Sequence, residues 1–224
     1  MSAFIGPIHY WLYGKIRLVS EREEYMYQKA QEMCGSTAEE LREQVWQTYG
    51  PPLADKDLSE MIDQNNIHGW LQRQINAAES REAAFIKELL DTCGDAAGDL
   101  VEKAFSEHGK ITGQRAAAQG KYDVSTAPGI YKALNDHYLN GMPCDQADTV
   151  IASEAGGIVW ETGACLQAPN WKRAGIADSI MAKFYLAWLK AFVEGINPAF
   201  VFRAAAGGAP AGTAGQRREI GKKK

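Results

Sequence analysis

The chain has 224 residues, of which 46% are hydrophobic and 23% are charged, a composition typical of a soluble globular protein with one large domain or two small ones. Residues 1–216 carry 19 basic and 27 acidic side chains, a net charge of −8, whereas the last eight residues carry five Lys/Arg and one Glu. An acidic body argues against a DNA-binding domain. No uncharged apolar run reaches the ~18 residues that a transmembrane helix needs.

The N-terminal residues and the cysteines predict a cytoplasmic protein. The first residues lack the basic segment and the small-residue cleavage site of a secretory signal. The four cysteines are Cys34, Cys93, Cys144 and Cys165, and no two of them have a CxxC spacing. Isolated cysteines without an export signal are typical of free thiols in a reducing compartment.

The first half of the chain contains an internal repeat. Residues 8–50 align with residues 67–109 at an offset of 59 without a gap, and 13 of the 43 aligned positions are identical. The clearest match is the pattern Ile-His-x-Trp-Leu-x-x-x-Ile, which occupies residues 8–16 and returns at residues 67–75. Self-similarity at a fixed period predicts a duplicated supersecondary unit.

Each repeat is predicted to form two helices, so that residues 1–109 become a duplicated helical region. Pro7 suits the first turn of the first helix, and Asn65-Asn66 supply capping side chains for its counterpart. These two helices should end at Cys34-Gly35 and at Cys93-Gly94, since glycine favours the left-handed stop conformation. The second helix of each unit should end near Gly50 and Gly109.

The charged and thiol positions of the repeat have simple interpretations. Arg22-Glu23 and Arg81-Glu82 are interpreted as exposed helix charges. Cys34 and Cys93 stand at helix C-termini, where the dipole disfavours a thiolate, and are interpreted as small buried hydrophobic residues.

The repeated histidines are the candidate binding residues. His9 and His68 lie in the first turns of matching helices, where the positive end of the dipole disfavours an imidazolium ion. If an approximate two-fold axis relates the units, the two neutral rings could face each other. With Trp11 and Trp70 as walls, the pair could hold a transition metal ion or the axial positions of a haem. In the alternative, each histidine bonds to the backbone and only the packing is repeated.

The second half of the chain has a different texture. Residues 110–146 are predicted to form a connecting loop (110–128), then a short helix near residues 129–139 with His137, then a turn with Cys144. Residues 147–203 contain two β-leaning runs around a glycine turn, a long apolar helix and a third strand. Residues 204–224 are predicted to be a flexible basic tail. The predicted fold class is α+β, mostly α, with a small antiparallel sheet packed on the long helix.

Part of the second half resembles a known family. Trp160, Cys165, the run Ala174-Gly175-Ile176 and the segment "EGINPAFVF" are similar to the closing segment of L-2-amino-thiazoline-4-carboxylic acid hydrolase-like proteins. The resemblance covers about residues 147–203. It implies a cytoplasmic bacterial α+β protein that hydrolyses a small cyclic amidine.

Three functional hypotheses follow, in the order in which the sequence favours them. The first is a cytoplasmic protein that binds a metal ion or a tetrapyrrole through His9 and His68. The second is a non-catalytic interaction subunit of a larger complex, and the aromatic content favours a homo-oligomer or a protein partner. The third is a small-molecule hydrolase that uses Cys165 or Cys144 with His137 as a base.

Overall fold

The computed structural model describes residues 4–204 and 216–223. This part of the chain has eight α-helices and a four-stranded antiparallel sheet, which confirms the predicted α+β class with excess helix. The helices are α1 (Pro7–Cys34), α2 (Ser36–Tyr49), α3 (Leu58–Met61), α4 (Ile67–Cys93), α5 (Asp95–Ala118), α6 (Ala127–His137), α7 (Ala168–Ala174) and α8 (Asp178–Ile196). The strands are β1 (Asp148–Glu154), β2 (Gly157–Thr162), β3 (Phe200–Ala204) and β4 (Gln216–Lys222).

The repeat forms the four long helices that its pattern predicts. The helices α1 and α4 end at Cys34 and Cys93, and a glycine with a positive φ follows each of them (58° at Gly35 and 69° at Gly94). The helix α2 packs against α4, and α5 packs against α1. The second helix of each unit therefore packs against the first helix of the other unit. This reciprocal packing is what a two-fold relation between two copies produces. None of the helices in the described ranges has the length and apolar character needed to cross a bilayer.

The helix α5 does not end near Gly109, and the expectation of a loop from residue 110 is wrong for residues 110–118. Gly109 and Gly113 are helical positions where α8 crosses α5 closely. A Cβ atom on Gly109 would lie 2.5 Å from the Trp188 carbonyl oxygen, and one on Gly113 would overlap the carbonyl oxygen of Phe192. These glycines therefore allow the backbones of α5 and α8 to come into contact. Ala116 and its alanine neighbours favour helix, so α5 continues to Ala118.

The α5–α8 crossing can be tested with a matched pair of glycine variants. Gly113→Ala should lower the free energy of unfolding by about 1–3 kcal/mol, because the overlap with the α8 backbone outweighs the gain in helix propensity. Gly14→Ala is the control, since Gly14 lies in α1 and a Cβ atom at this position would meet no neighbouring group within 4 Å. It should raise the stability by about 0.5–1 kcal/mol. Urea unfolding followed by circular dichroism measures the free energy of unfolding of both variants. Equal changes in the two variants would contradict the close crossing of α5 and α8.

His108 is buried at the same crossing as a neutral ring. Its Nδ1 accepts a hydrogen bond of 3.0 Å from the Trp188 indole, and only 1% of the residue is exposed. Burial, with help from Arg22 and Arg115, lowers the pKa of His108 to about 3. The folded protein therefore holds this imidazole uncharged at neutral pH, whereas the unfolded chain protonates it below its ordinary pKa of 6.5.

This difference makes the contribution of His108 to stability pH-dependent. The contribution is complete above pH 6.5 and is lost as the pH falls toward 3, because only the unfolded chain then takes up the proton. Between pH 7 and pH 4.5 the loss should be about 2–3 kcal/mol. Glu79, whose pKa burial raises to about 8, has the opposite pH dependence, so the measured quantity is the difference between wild type and His108→Gln. A difference that stays constant from pH 7 to pH 4.5 would contradict this assignment.

The sheet contains the predicted hairpin and third strand, in the order β1-β2-β4-β3. The strand β3 pairs with β4, and β4 pairs with β2. The expectation of a flexible basic tail is therefore wrong for residue 204, which ends β3, and for residues 216–222. Residues 205–215 and 224 of that tail lie outside the described residues. Ile220 explains the difference: it is fully buried between Ile158 and Phe202, and both edges of β4 are hydrogen-bonded.

The buried apolar residues form two clusters. The larger one joins the sheet to α8, α5 and the C-terminal halves of α1 and α4. The smaller one fills the space between the N-terminal halves of α1 and α4 and includes Leu12 and Leu71. The repeated histidines lie at the edge of this smaller cluster, next to Leu12 and Leu71.

Candidate functional site

The helices α1 and α4 run parallel, with matching residues of the two repeats side by side. His9 faces His68 near the N-terminal ends, and Cys34 faces Cys93 at the C-terminal ends. Contacts between equivalent residues at both ends mean that the pseudo-two-fold axis lies along the helix pair. Side chains that the duplication repeats are therefore brought into pairs.

Two crossed ion pairs fix this arrangement in the middle of the helices. The guanidinium of Arg22 in α1 donates to both carboxylate oxygens of Glu82 in α4, at 2.6 and 2.7 Å. The equivalent Arg81 in α4 donates to Glu23 in α1 at 2.7 Å. The Tyr185 hydroxyl of α8 donates a further bond of 2.9 Å to Glu82. Each arginine reaches across the axis to the glutamate of the other copy.

The expectation that these four residues are exposed is wrong. Their exposed fractions are between 0% and 4%. Charges can be buried at this position because each guanidinium finds a carboxylate on the neighbouring helix, which offsets the loss of hydration. The Arg22 guanidinium also lies 4.6 Å from the centre of the Phe105 ring.

A double-mutant cycle tests the buried pairing. Glu82→Gln leaves the Arg22 charge buried without a counter-ion and should lower the free energy of unfolding by about 3–5 kcal/mol. The double variant Arg22→Met/Glu82→Gln should lose less than the sum of the single variants, since it carries no unpaired charge.

The control for this cycle is an ion pair of similar length at the surface. Arg17 Nη1 lies 2.6 Å from Asp55 Oδ1, but the two side chains are 46% and 86% exposed. Asp55→Asn should change the stability by less than about 1 kcal/mol. If Glu82→Gln costs no more than Asp55→Asn, the buried pairs do not hold α1 and α4 in register.

The two histidine rings meet near the N-terminal ends of α1 and α4. Their centroids are 5.6 Å apart, and the ring planes are inclined by 50°. The Gly6 backbone N–H donates to His9 Nδ1 at 2.9 Å, so His9 also caps the first turn of α1. Burial, followed by the proximity of His68, lowers the pKa of His9. A neutral His9 at pH 7 agrees with the expectation from the sequence. The largest cause of the lowered pKa is burial, however, and not the helix dipole.

The second copy caps its helix differently. Asn66, the N-cap residue of α4, accepts the hydrogen bond of the Gly69 N–H at 3.0 Å, whereas in α1 the ring of His9 accepts the N–H of the N-cap residue Gly6. His68 is exposed, whereas His9 is partly buried. The two imidazoles therefore have different roles in the backbone despite their equivalent positions.

The histidine pair lines a small and mostly apolar cavity of about 150 Å³. Ile8 and Leu12 line it from α1, and Leu71 from α4. The turn that follows α6 closes one side with Met142, Pro143 and Cys144. The cavity thus brings together two imidazoles, a thioether and a thiol in apolar surroundings.

The repeated tryptophans do not line this cavity. The indole of Trp11 donates to Asp136 Oδ1 at 2.8 Å, and Trp70 is buried in the smaller apolar cluster. The Lys15 ammonium lies 3.6 Å from the centre of the Trp11 ring. Burial lowers the pKa of Lys15 to about 7, while Asp136 acts in the opposite direction. Lys15 has no counterpart in the second repeat, where position 74 is glutamine, so the repeat gave no signal for it.

The three candidate catalytic residues have separate surroundings. The Cys165 thiol donates to Gln167 Oε1 at 3.4 Å, and burial raises its pKa, which disfavours a nucleophilic thiolate. His137 Nδ1 lies 2.8 Å from the Ala133 carbonyl oxygen of its own helix, and burial lowers its pKa. Cys144 is exposed and lines the histidine cavity. Cys165, His137 and Cys144 therefore have different neighbours: Gln167, Ala133 and the histidine cavity, respectively.

Sequence reasoning missed two features of the site: the position of Met142 and Cys144 beside the histidines, and the burial of Glu79. Met142 and Cys144 come to the histidine cavity through the fold, and no local pattern connects them to residues 8–16 and 67–75. Glu79 is 1% exposed and accepts a hydrogen bond of 2.6 Å from Asn170 of α7. Its position in the repeat is occupied by Ser20 in the first copy, which hides it from a comparison of the two copies.

No family model, curated protein or solved structure matches this chain. Its function is therefore inferred from the residues and their geometry.

Proposed function

We propose that this protein binds one soft monovalent metal ion, Cu(I), between His9 and His68. The observation that carries the proposal is the facing pair of imidazoles, 5.6 Å apart, over a cavity that Met142 and Cys144 also line. Imidazole, thioether and thiolate are ligands that suit Cu(I). Apolar walls favour a singly charged ion over a divalent one, because less charge is desolvated.

The donor set favours a low coordination number. Among residues 4–204 and 216–223, no group of three or more His, Cys, Asp and Glu side chains is arranged to hold a metal ion. A tetrahedral zinc site or an octahedral magnesium site needs more ligands than the two histidines supply. Cu(I) accepts two or three ligands, so the two imidazoles with the Met142 sulfur would suffice.

The volume of the cavity favours an ion over a tetrapyrrole. Sites for drug-sized ligands have volumes of about 300–1,000 Å³, and a haem belongs with the larger ligands. The 150 Å³ between the histidines is smaller than this range. Haem would require α1 and α4 to separate against the crossed ion pairs.

Metal binding would compete with the cap of α1. Because His9 Nδ1 accepts the Gly6 N–H, the neutral ring carries its proton on Nε2. Coordination through Nε2 moves that proton to Nδ1 and breaks the capping bond, at a cost of about 1 kcal/mol. The exposed His68 and Cys144 leave the ion accessible, which suits a protein that takes up and releases Cu(I) in a reducing cytoplasm.

Titration with Cu(I) under anaerobic conditions, in competition with a chromogenic chelator, tests the proposal. The titration uses the Cys34→Ala/Cys93→Ala background, so that these thiols do not contribute. We expect one Cu(I) per chain, and His9→Ala and His68→Ala should each weaken binding by at least about 10–100-fold. Met142→Leu should weaken it less than either histidine variant.

His137→Ala is the matched control, since it removes an imidazole outside the cavity and should leave Cu(I) affinity unchanged. The Gly6 amide resonance should shift when Cu(I) binds, because the capping bond to His9 is broken. Equal Cu(I) affinities for the Cys34→Ala/Cys93→Ala protein with and without His9→Ala or His68→Ala would refute the site.

A further inference from the structure

A second pair of repeated side chains meets at the opposite end of α1 and α4. Cys34 and Cys93 occupy identical positions in the two copies, and each is the last residue of its helix. Because α1 and α4 are parallel and related by the pseudo-two-fold axis, the two side chains point toward each other across the axis.

The two thiols are neighbours. The Cys34 Sγ donates to the Ala30 carbonyl oxygen at 3.2 Å, and Cys93 lies close enough to influence the titration of Cys34. Burial, followed by the contact with Cys93, raises the pKa of Cys34 to about 11. Both residues are partly exposed rather than fully buried, which departs from the interpretation of these cysteines as buried hydrophobic residues. A small reagent can therefore reach a pair of thiols that are already adjacent.

We propose that Cys34 and Cys93 form a reversible disulfide when the protein meets a low-molecular-weight disulfide such as glutathione disulfide. In the first exchange, the Cys93 thiolate attacks the reagent, a mixed disulfide forms on Cys93, and one glutathione leaves as its thiol. In the second exchange, the other cysteine attacks the protein sulfur of the mixed disulfide and releases the second glutathione. The protein loses two hydrogens, and one glutathione disulfide is reduced to two glutathiones.

The cross-link would tie the two repeats together covalently. It would join residues 34 and 93 of the chain and so restrict the unfolded chain over a long loop, which stabilises the folded state. The same link would hold the C-terminal ends of α1 and α4 in the register that the crossed ion pairs set. This site is separate from the histidine cavity, which lies at the other end of both helices.

Mass spectrometry of the full-length protein in glutathione redox buffers tests the proposal. Oxidised wild type should be lighter by the mass of two hydrogens, should retain two alkylatable thiols and should yield a peptide that links Cys34 to Cys93. Cys34→Ala and Cys93→Ala should instead accumulate glutathione on the remaining cysteine of the pair. The oxidised wild type should melt at a higher temperature than the reduced protein, and this difference should be absent in both variants.

The matched control is Cys144→Ala/Cys165→Ala, which removes the other two cysteines. This variant should form the same cross-link to the same extent as wild type. A disulfide that involves Cys144 or Cys165, a cross-link only between two chains, or full alkylation of both Cys34 and Cys93 after oxidation would each overturn the proposal. A linked peptide with a lowered melting temperature would also overturn it, since the native packing would then be incompatible with the bond.

Discussion

The crossed ion pairs between α1 and α4 are the constraint on which the rest of the structure depends. Arg22 reaches Glu82, and Arg81 reaches Glu23, inside a core where an unpaired charge would be strongly unfavourable. A shift of one helical turn, or an antiparallel arrangement, would separate both pairs at once. Apolar side chains would tolerate such a shift far better. The charges therefore select one register of the two repeats among several that hydrophobic packing allows.

This register determines which other side chains meet. Once the ion pairs hold the middle of the two helices, the histidines are brought together at one end and the cysteines at the other. Each pair consists of a residue and its copy, which is the arrangement that a two-fold axis along parallel helices requires. The repeat supplies equivalent residues, and differences between the copies, such as Asn66 as the N-cap of α4 where α1 has Gly6, make the two members chemically distinct.

The sequence predicted the repeat, its four helices and the small sheet, because these depend on periodicity and on local stop signals. It did not predict the burial of Arg22 and Glu82, since a charge is placed at the surface unless its distant partner is known. The glycine at position 109 predicts a helix end, because only the crossing with α8 shows why a glycine lies within a helix. The charged residues around Ile220 are typical of a flexible tail, so the sequence did not predict β4. This strand is stabilised by hydrogen bonds to two neighbouring strands, β2 and β3.

The two imidazoles should lie in contact without any bound ligand, because the ion pairs place them there. The chain has four histidines, so their ring protons are few enough to be assigned in a nuclear magnetic resonance spectrum. The most direct measurement is a nuclear Overhauser effect between ring protons of His9 and His68 in the metal-free protein. We expect a clear cross-peak between the two rings. Its absence, with both rings assigned and the protein folded, would contradict the register of α1 and α4.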